Sequence, residues 1–360
     1  MRNLNKDRDK MKDFITINGR AIGPSHPPYV IAEISGNHNG DINKALELVS
    51  LAKSSGADAV KIQTYTPDTM TIQCDSKLFQ IKGGLWDGHS LYDLYKWAHT
   101  PWEWHEKIFQ RAKEVGIACF STPFDETAID FLEGFNVPAY KVASFELTDL
   151  ILIEAIAKTK KPVIISTGMA SEEEISDAIQ TIHKFHDNLV VLHCVSGYPT
   201  PSSQSNISTI KLIANKFKVL VGLSDHSLSN AGAIASVAMG GCVIEKHFIK
   251  SRNDQGPDSA FSLEPAEMQS LCAQSKEAWE SLGEPSFNRK EVEKSNVVFR
   301  RSLFFVNNLK KGDLIQAKDV RRIRPGYGLA PKFLDQVLGK RVTQDISRGT
   351  PVELKHINDL

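Results

Sequence analysis

Two histidines close apolar runs, His226 in GLSDHS and His247 in CVIEKHF. Two imidazoles with no cysteine beside them suit an open divalent site of the Mn2+ or Mg2+ type, completed by water and substrate oxygens, better than a closed zinc site. One strand-end histidine is more often structural, and a pair at adjacent strand ends reverses that balance. Lys61, Lys141 and Lys246 lie in runs with no other use for charge. A buried ammonium needs an anion, which a phosphorylated or carboxylated ligand would supply. Schiff-base chemistry at Lys61 or Lys141 and a Lys–Glu ion pair inside the protein are the competing readings. Ser144, Ser166, Thr167 and Ser196 add hydroxyls, and Gly168 and Gly197 beside them let backbone N–H groups approach phosphate oxygens. Taken singly, each serine also reads as a helix cap. Glu33, where YVIAEI meets the turn SGNHNG, is placed for general acid or base work or for capping the next helix. Glu245 shares a strand face with His247, either as its partner or in an internal salt bridge.

These residues need elements that bring them together. Eight runs rich in Val, Ile and Ala recur at 29–34, 59–65, 118–123, 139–144, 162–167, 190–195, 219–225 and 242–248. Their unbroken apolar character predicts strands buried on both faces. Helical patterns separate them. In INKALELVSLAKSSG, Ala45, Leu48, Val49 and Ala52 share a face, with Asp41 as N-cap and Gly56 as the stop. In SEEEISDAIQTIHKF, Ser171 caps a first turn of three glutamates. The alternation predicts a (β/α)8 TIM barrel, and a closed barrel gathers polar strand ends into one cup. The connection from Thr66 to Gly116 is long, and its first part, 66–100, has the length and aromatic content of a substrate loop.

With 43 basic and 43 acidic residues the net charge is zero, but thirteen Lys and Arg face only six Asp and Glu after residue 298. That basic tail lacks the interleaved aromatics and basic helix of a nucleic-acid binder, and its charge argues against an ice-binding surface. No apolar run is long enough to cross a membrane. The polar segment MRNLNKDRDKMKDF holds no apolar stretch to act as a secretory signal. Cytoplasm is therefore the expected compartment, and residues 1–13 an expected disordered tail. Five widely spaced cysteines with no CxxC pair read as reduced and buried. Near the end, LKKGDLIQAKDV (309–320) and ISRGTPVELKHI (346–357) repeat one pattern of apolar, basic and glycine positions.

In this order and spacing, AEISGNHNGD, VKIQTY, STPFD, AYKVAS, ISTGM, LHCVSGYPTP, GLSDHS, EKHF and RPGYG resemble the sialic acid synthase family over residues 14–358. The resemblance implies a barrel over 14–282, a linker over 283–298 and a small β-rich antifreeze-like (SAF) domain over 299–360. It implies a condensation in which C3 of phosphoenolpyruvate attacks the aldehyde of an open-chain acetamido sugar, water adds at C2, and phosphate leaves by C–O cleavage. Position by position, His226 and His247 match the holders of the divalent metal, and Glu33 matches the catalytic glutamate. Lys61, Thr122, Lys141, Ser144 and Ser166 match residues that hold phosphoenolpyruvate, with Ser196 beside them where sialic acid synthases carry asparagine. Gln63 and Tyr198 fall among the expected sugar contacts. Arg324 in RPGYG matches an SAF arginine that closes over the sugar's acetamido group across a domain-swapped homodimer. The loop GGLWDGHSLYDLYKWAHTPWEWH is similar to that of the pseudaminic acid synthases, whose sugar is 2,4-diacetamido-2,4,6-trideoxy-L-altrose. Trp86 and Tyr92 would line a pocket for its methyl and second acetamido group, although Trp86 reads equally as a loop anchor. N-acetylneuraminic or legionaminic acid synthesis by the same mechanism, and a Schiff-base aldolase, remain the alternatives.

Overall fold

β-Branched side chains fit a pleated surface covered on both faces, and each of the eight apolar runs forms a parallel strand. The computed structural model describes residues 12–358, so all but the last two residues of the expected tail lie outside the described residues. A short hairpin comes first, β1 (Ile15–Ile17) and β2 (Arg20–Ile22), turned by Asn18 and Gly19 at positive φ. The barrel follows as β3 (Tyr29–Glu33), β4 (Ala59–Thr64), β5 (Ala118–Pro123) and β6 (Tyr140–Val142), then β7 (Val163–Ser166), β8 (Leu189–Cys194), β9 (Leu220–Asp225) and β10 (Gly241–His247). It closes where β10 pairs with β3. At Gly222 a Cβ would lie 2.2 Å from the Val243 carbonyl oxygen, so only glycine allows β9 this close to β10.

Period-two alternation divides each strand into an inner and an outer face. Tyr29, Ile31, Ala59, Phe120, Ile164, Val190 and Leu220 point inward and fill the lower barrel together with Ile15, Ile17 and Ile22 of the hairpin. The alternate residues, such as Val30, Val60, Val142, Ile165, Val191 and Ile244, pack against the outer helices. Those helices end as their sequences dictate. The carboxylate of Asp41 accepts from Asn43 N ahead of Ile42–Ser54, and Ser171 and Glu174 form a reciprocal capping box ahead of Glu172–His183. Of the five free cysteines three are buried, whereas Cys74 and Cys272 are half-exposed.

Between β4 and β5 the long connection holds two helices absent from the sequence-based pattern, Pro67–Met70 and Leu91–Ala98, before His105–Val115. Residues Met1–Gly283 and Glu284–Leu360 cluster as two units. In the second unit β11 (Ser302–Phe305) pairs antiparallel with β12 (Val320–Ile323) over a core of Leu303, Phe305, Ile315, Val342 and Val352. Its two repeats meet each other directly, Leu309 and Ile346 exchanging both backbone hydrogen bonds at 2.9 and 2.8 Å. Gly312 and Gly349 occupy the same place in each repeat, at φ +91° and +90°.

Candidate active site

Continuing the inward face of each strand upward replaces apolar residues by polar ones. Glu33 follows Ile31, Lys61 and Gln63 follow Ala59, and Lys141 follows Ala139. Ser166, Ser224 and the pair Glu245 and His247 extend β7, β9 and β10 in the same way. Strand register sets Glu33 level with Lys61 on one side and His247 on the other. With Tyr198, His226 and the loop residues Trp86, Pro257 and Asp258, these side chains line a cavity of about 370 Å³.

Its floor is an ion cluster. The Lys61 ammonium sits 3.1 Å from both Glu33 and Glu245, and Lys141 lies 3.7 Å from Glu245 while donating to Ser166 Oγ at 2.7 Å and the Val142 carbonyl at 2.9 Å. Gln63 donates to Glu33 and Ser224 to Glu245, each at 3.0 Å. Burial works against every charge here, and the neighbours decide the outcome. For Lys61 the two carboxylates outweigh burial and raise its pKa. For Lys141 burial wins over Glu245 and pulls the pKa down to about 8. Burial pushes Glu33 up despite Lys61, whereas Lys141 and Lys61 together overcome burial and hold Glu245 at about 2.

The two imidazole rings lie 5.5 Å apart between centres, a spacing at which nitrogens of both rings can reach one ion. His226 Nδ1 donates to the Val195 carbonyl at 2.9 Å, which leaves its Nε2 lone pair free for a cation. His247 Nδ1 is buried without a hydrogen-bond partner, 3.5 Å from Asp258, whose hydroxyl partner is Ser35. Among the described residues no three His, Cys, Asp or Glu side chains form a closed metal cage. Two imidazoles beside open cavity space therefore fit a divalent ion that takes its remaining ligands from water and substrate.

Ser144 Oγ accepts from Gly168 N at 3.0 Å, and Ser196 Oγ lies so near Gly168 that a Cβ there would meet it at 2.1 Å. Neither Thr122 nor Ser196 borders the cavity, yet each buries a hydroxyl oxygen with no partner among the described residues. Trp86 serves both readings, since its Nε1 donates to the Pro257 carbonyl at 2.9 Å and its ring meets Tyr198 at 5.7 Å while lining the cavity.

Tyr92, Lys246 and Thr167 are corrected. Tyr92 is outside the lining, its hydroxyl turned to Asp68 at 3.4 Å, and one helical turn on Tyr95 takes the wall position against Tyr65. Helix Leu91–Ala98 sets this exchange, because Leu91, Leu94, Tyr95 and Ala98, spaced three and four apart, form the face that lines the cavity, and Tyr92 lies off that face. Lys246 does not aim at the cup. It lies on the outer face of β10, bound to Asp225 and two carbonyls. Thr167 also faces outward, bonded to the Leu192 carbonyl. Arg324 is exposed in the second unit, at the end of β12.

Sequence reasoning missed Glu146, a cavity-lining carboxyl in a one-turn helix after β6. Burial pushes its pKa up to about 7 against the pull of Lys141, and its Oε2 has no partner among the described residues. Its signal was a glutamate two residues beyond a polar strand end. An apolar wall was also unseen, made by Met70, Ile81, Leu91, Leu94, Phe124 and Phe145.

Residues 48–286 match the model of the NeuB family, and residues 300–358 match the SAF domain. The chain is 44% identical over 322 residues to a pseudaminic acid synthase of Campylobacter jejuni, covering 89% of this chain and 94% of that one. Identity to a pseudaminic acid synthase of Helicobacter pylori is 40%, covering 92% and 98%. The fold superimposes with a TM-score of 0.72 on a crystal structure of N-acetylneuraminic acid (sialic acid) synthetase from Leptospira borgpetersenii, in complex with citrate. That protein is 30% identical, with 80% of this chain and 96% of the other covered.

Proposed function

The chain belongs to the NeuB family, and on that premise we propose that it joins phosphoenolpyruvate to 2,4-diacetamido-2,4,6-trideoxy-L-altrose, yielding pseudaminic acid and phosphate. One arrangement carries the reading. Lys61, Lys141 and Ser166 share a cavity with Glu33, and Glu33 stands in register with His247. A trianionic substrate needs these cations, and ammonium groups already desolvated give charge-assisted hydrogen bonds without further cost of burial.

In the reaction C3 of phosphoenolpyruvate bonds to the aldehyde carbon, whose oxygen gains a proton. Water then supplies a hydroxyl to C2, and the bond from C2 to the phosphate oxygen breaks. Lys61, Lys141, Ser144 and Ser166 hold the phosphate and carboxylate, with the hydroxyls of Thr122 and Ser196 as further donors. Glu33 faces the positive character that C2 acquires, and as a carboxylate of raised pKa it can take a proton from the entering water. Glu146, titrating at about 7, is able to hold the proton that a developing alkoxide needs. His226 and His247 would hold Mn2+ or Mg2+, which when bound supplies Lewis acidity toward the aldehyde oxygen.

Gln63, Tyr198 and Trp86 border the remaining space, and the apolar wall from Met70 to Leu94 suits a sugar with a methyl in place of a C6 hydroxyl. Arg324 is proposed to reach the acetamido group in the partner's cavity of a domain-swapped homodimer in the cytoplasm. Mass spectrometry of the product formed with phosphoenolpyruvate tests the assignment, offering in parallel the diacetamido altrose, the legionaminic acid precursor and N-acetylmannosamine. Preferential turnover of either of the latter two overturns the sugar assignment. Borohydride trapping of a substrate adduct on Lys141 would overturn the mechanism.

A further inference from the structure

Among the described residues Lys246 is the largest fully buried charged side chain that the proposed reaction leaves unused. It sits outside the barrel wall with its side chain fully buried, and Asp225 beside it is 5% exposed. Its ammonium makes three hydrogen bonds, to Asp225 Oδ2 at 2.9 Å, the Ser227 carbonyl at 2.7 Å and the Ser229 carbonyl at 3.0 Å. An ammonium has three protons, so its donor capacity is filled. The second oxygen of Asp225 accepts from Ser227 N at 2.9 Å, closing the 225–229 turn around the charge. His226 is the second residue of that turn, and His247 follows Lys246 directly in β10. Register pairs Lys246 with Asp225, so one outer-face ion pair clamps the two strand ends whose next residues turn their imidazoles inward. An apolar pair of similar volume would serve stability as well or better. The charged pair adds direction, because three oxygen acceptors from one turn converge on a nitrogen anchored in the neighbouring strand.

From this geometry we infer that Lys246 and Asp225 are positioning residues that fix the separation and aim of His226 and His247, and so set the affinity of the site for a divalent cation. The inference rests on the proposed metal role of the two histidines. Its test is Mn2+ binding, followed by the loss of the free-ion EPR signal on the full chain without substrates. In Asp225→Asn/Lys246→Met, which leaves no unpaired buried charge, the Mn2+ dissociation constant should rise on the order of 10-fold or more, as when supporting partners of metal ligands are removed. At saturating Mn2+ the KM for phosphoenolpyruvate should stay near that of the parent, since Lys61, Lys141 and Ser166 stand on other strands. A folded double variant with unchanged Mn2+ affinity overturns the inference. Should that variant not fold, Asp225→Asn alone, which breaks one of the two carboxylate bonds, is expected to weaken Mn2+ at least several-fold, and no change there is equally refuting. His226→Ala and His247→Ala separate the two levels. If both bind Mn2+ as the parent does, the metal role itself fails.

Discussion

Replacing Lys141 by methionine is expected to stabilise the fold while weakening substrate binding. Lys141 is 1% exposed, and burial brings its pKa from 10.5 down to about 8 even with Glu245 at 3.7 Å. That depression corresponds to ~3 kcal/mol by which the folded state disfavours the charged lysine relative to the unfolded chain. The cost is fully present below pH 8. Between about 8 and 10.5 the unfolded chain keeps a proton that the folded chain has lost, so stability rises with pH, and above 10.5 the cost is gone. Lys141→Met should therefore raise the unfolding free energy by ~2–3 kcal/mol at pH 7 and by less than ~1 kcal/mol at pH 10. Urea unfolding at the two pH values reads this directly. The lost charge-assisted hydrogen bonds should lower kcat/KM for phosphoenolpyruvate ~10–150-fold, from ~1.5–3 kcal/mol each. A variant less stable than the parent at pH 7, or one whose stability difference ignores pH, would refute the view that this ammonium is held at the expense of folding.

Because kcat/KM reports the free enzyme, its value for phosphoenolpyruvate in the parent should carry a falling limb as pH rises through about 8, bounded by the loss seen in Lys141→Met and absent from that variant. Gly168→Ala places a methyl 2.1 Å from Ser196 Oγ and 2.7 Å from Ser144 Oγ. Steady-state kinetics should show a raised KM for phosphoenolpyruvate, with circular dichroism of the folded parent. Glu33→Gln removes the anion facing C2 and should cut kcat by ~10²–10⁴, while calorimetry shows phosphoenolpyruvate still bound because Lys61 and Lys141 remain. Truncation after Ser295 is expected to leave a folded barrel with almost no turnover, and retained activity would remove Arg324 from the site.

Much of the architecture was legible because it depends on local chemistry. Eight apolar runs spaced by capped helices demanded buried parallel strands, and Asp41 and Ser171 act as the caps their sequences promise. The hairpin of β1 and β2 was not read from the sequence, although Asn18 and Gly19 between alternating isoleucines carry a turn signal, and its role as a plug beneath the barrel depends on closure. The polar tips of the strands were visible as a set. Which of them share the cup was not, because strand parity decides inward from outward and parity takes its meaning only once the sheet closes.

The sequence alone therefore determined the order of elements, the presence of two strand-end imidazoles, and the lysines and carboxylates from which an anion site can be built. Tertiary structure decided that Lys141 enters the site while Lys246, also at a strand end, turns to Asp225 behind it. It decided that Tyr95 rather than Tyr92 meets the cavity, and that Glu146 joins Lys141 there. The physical reason is common to all three. Residue type fixes what a side chain can do, while the face it occupies, and hence the charges and the burial that set its protonation, exists only after the strands have joined into a ring.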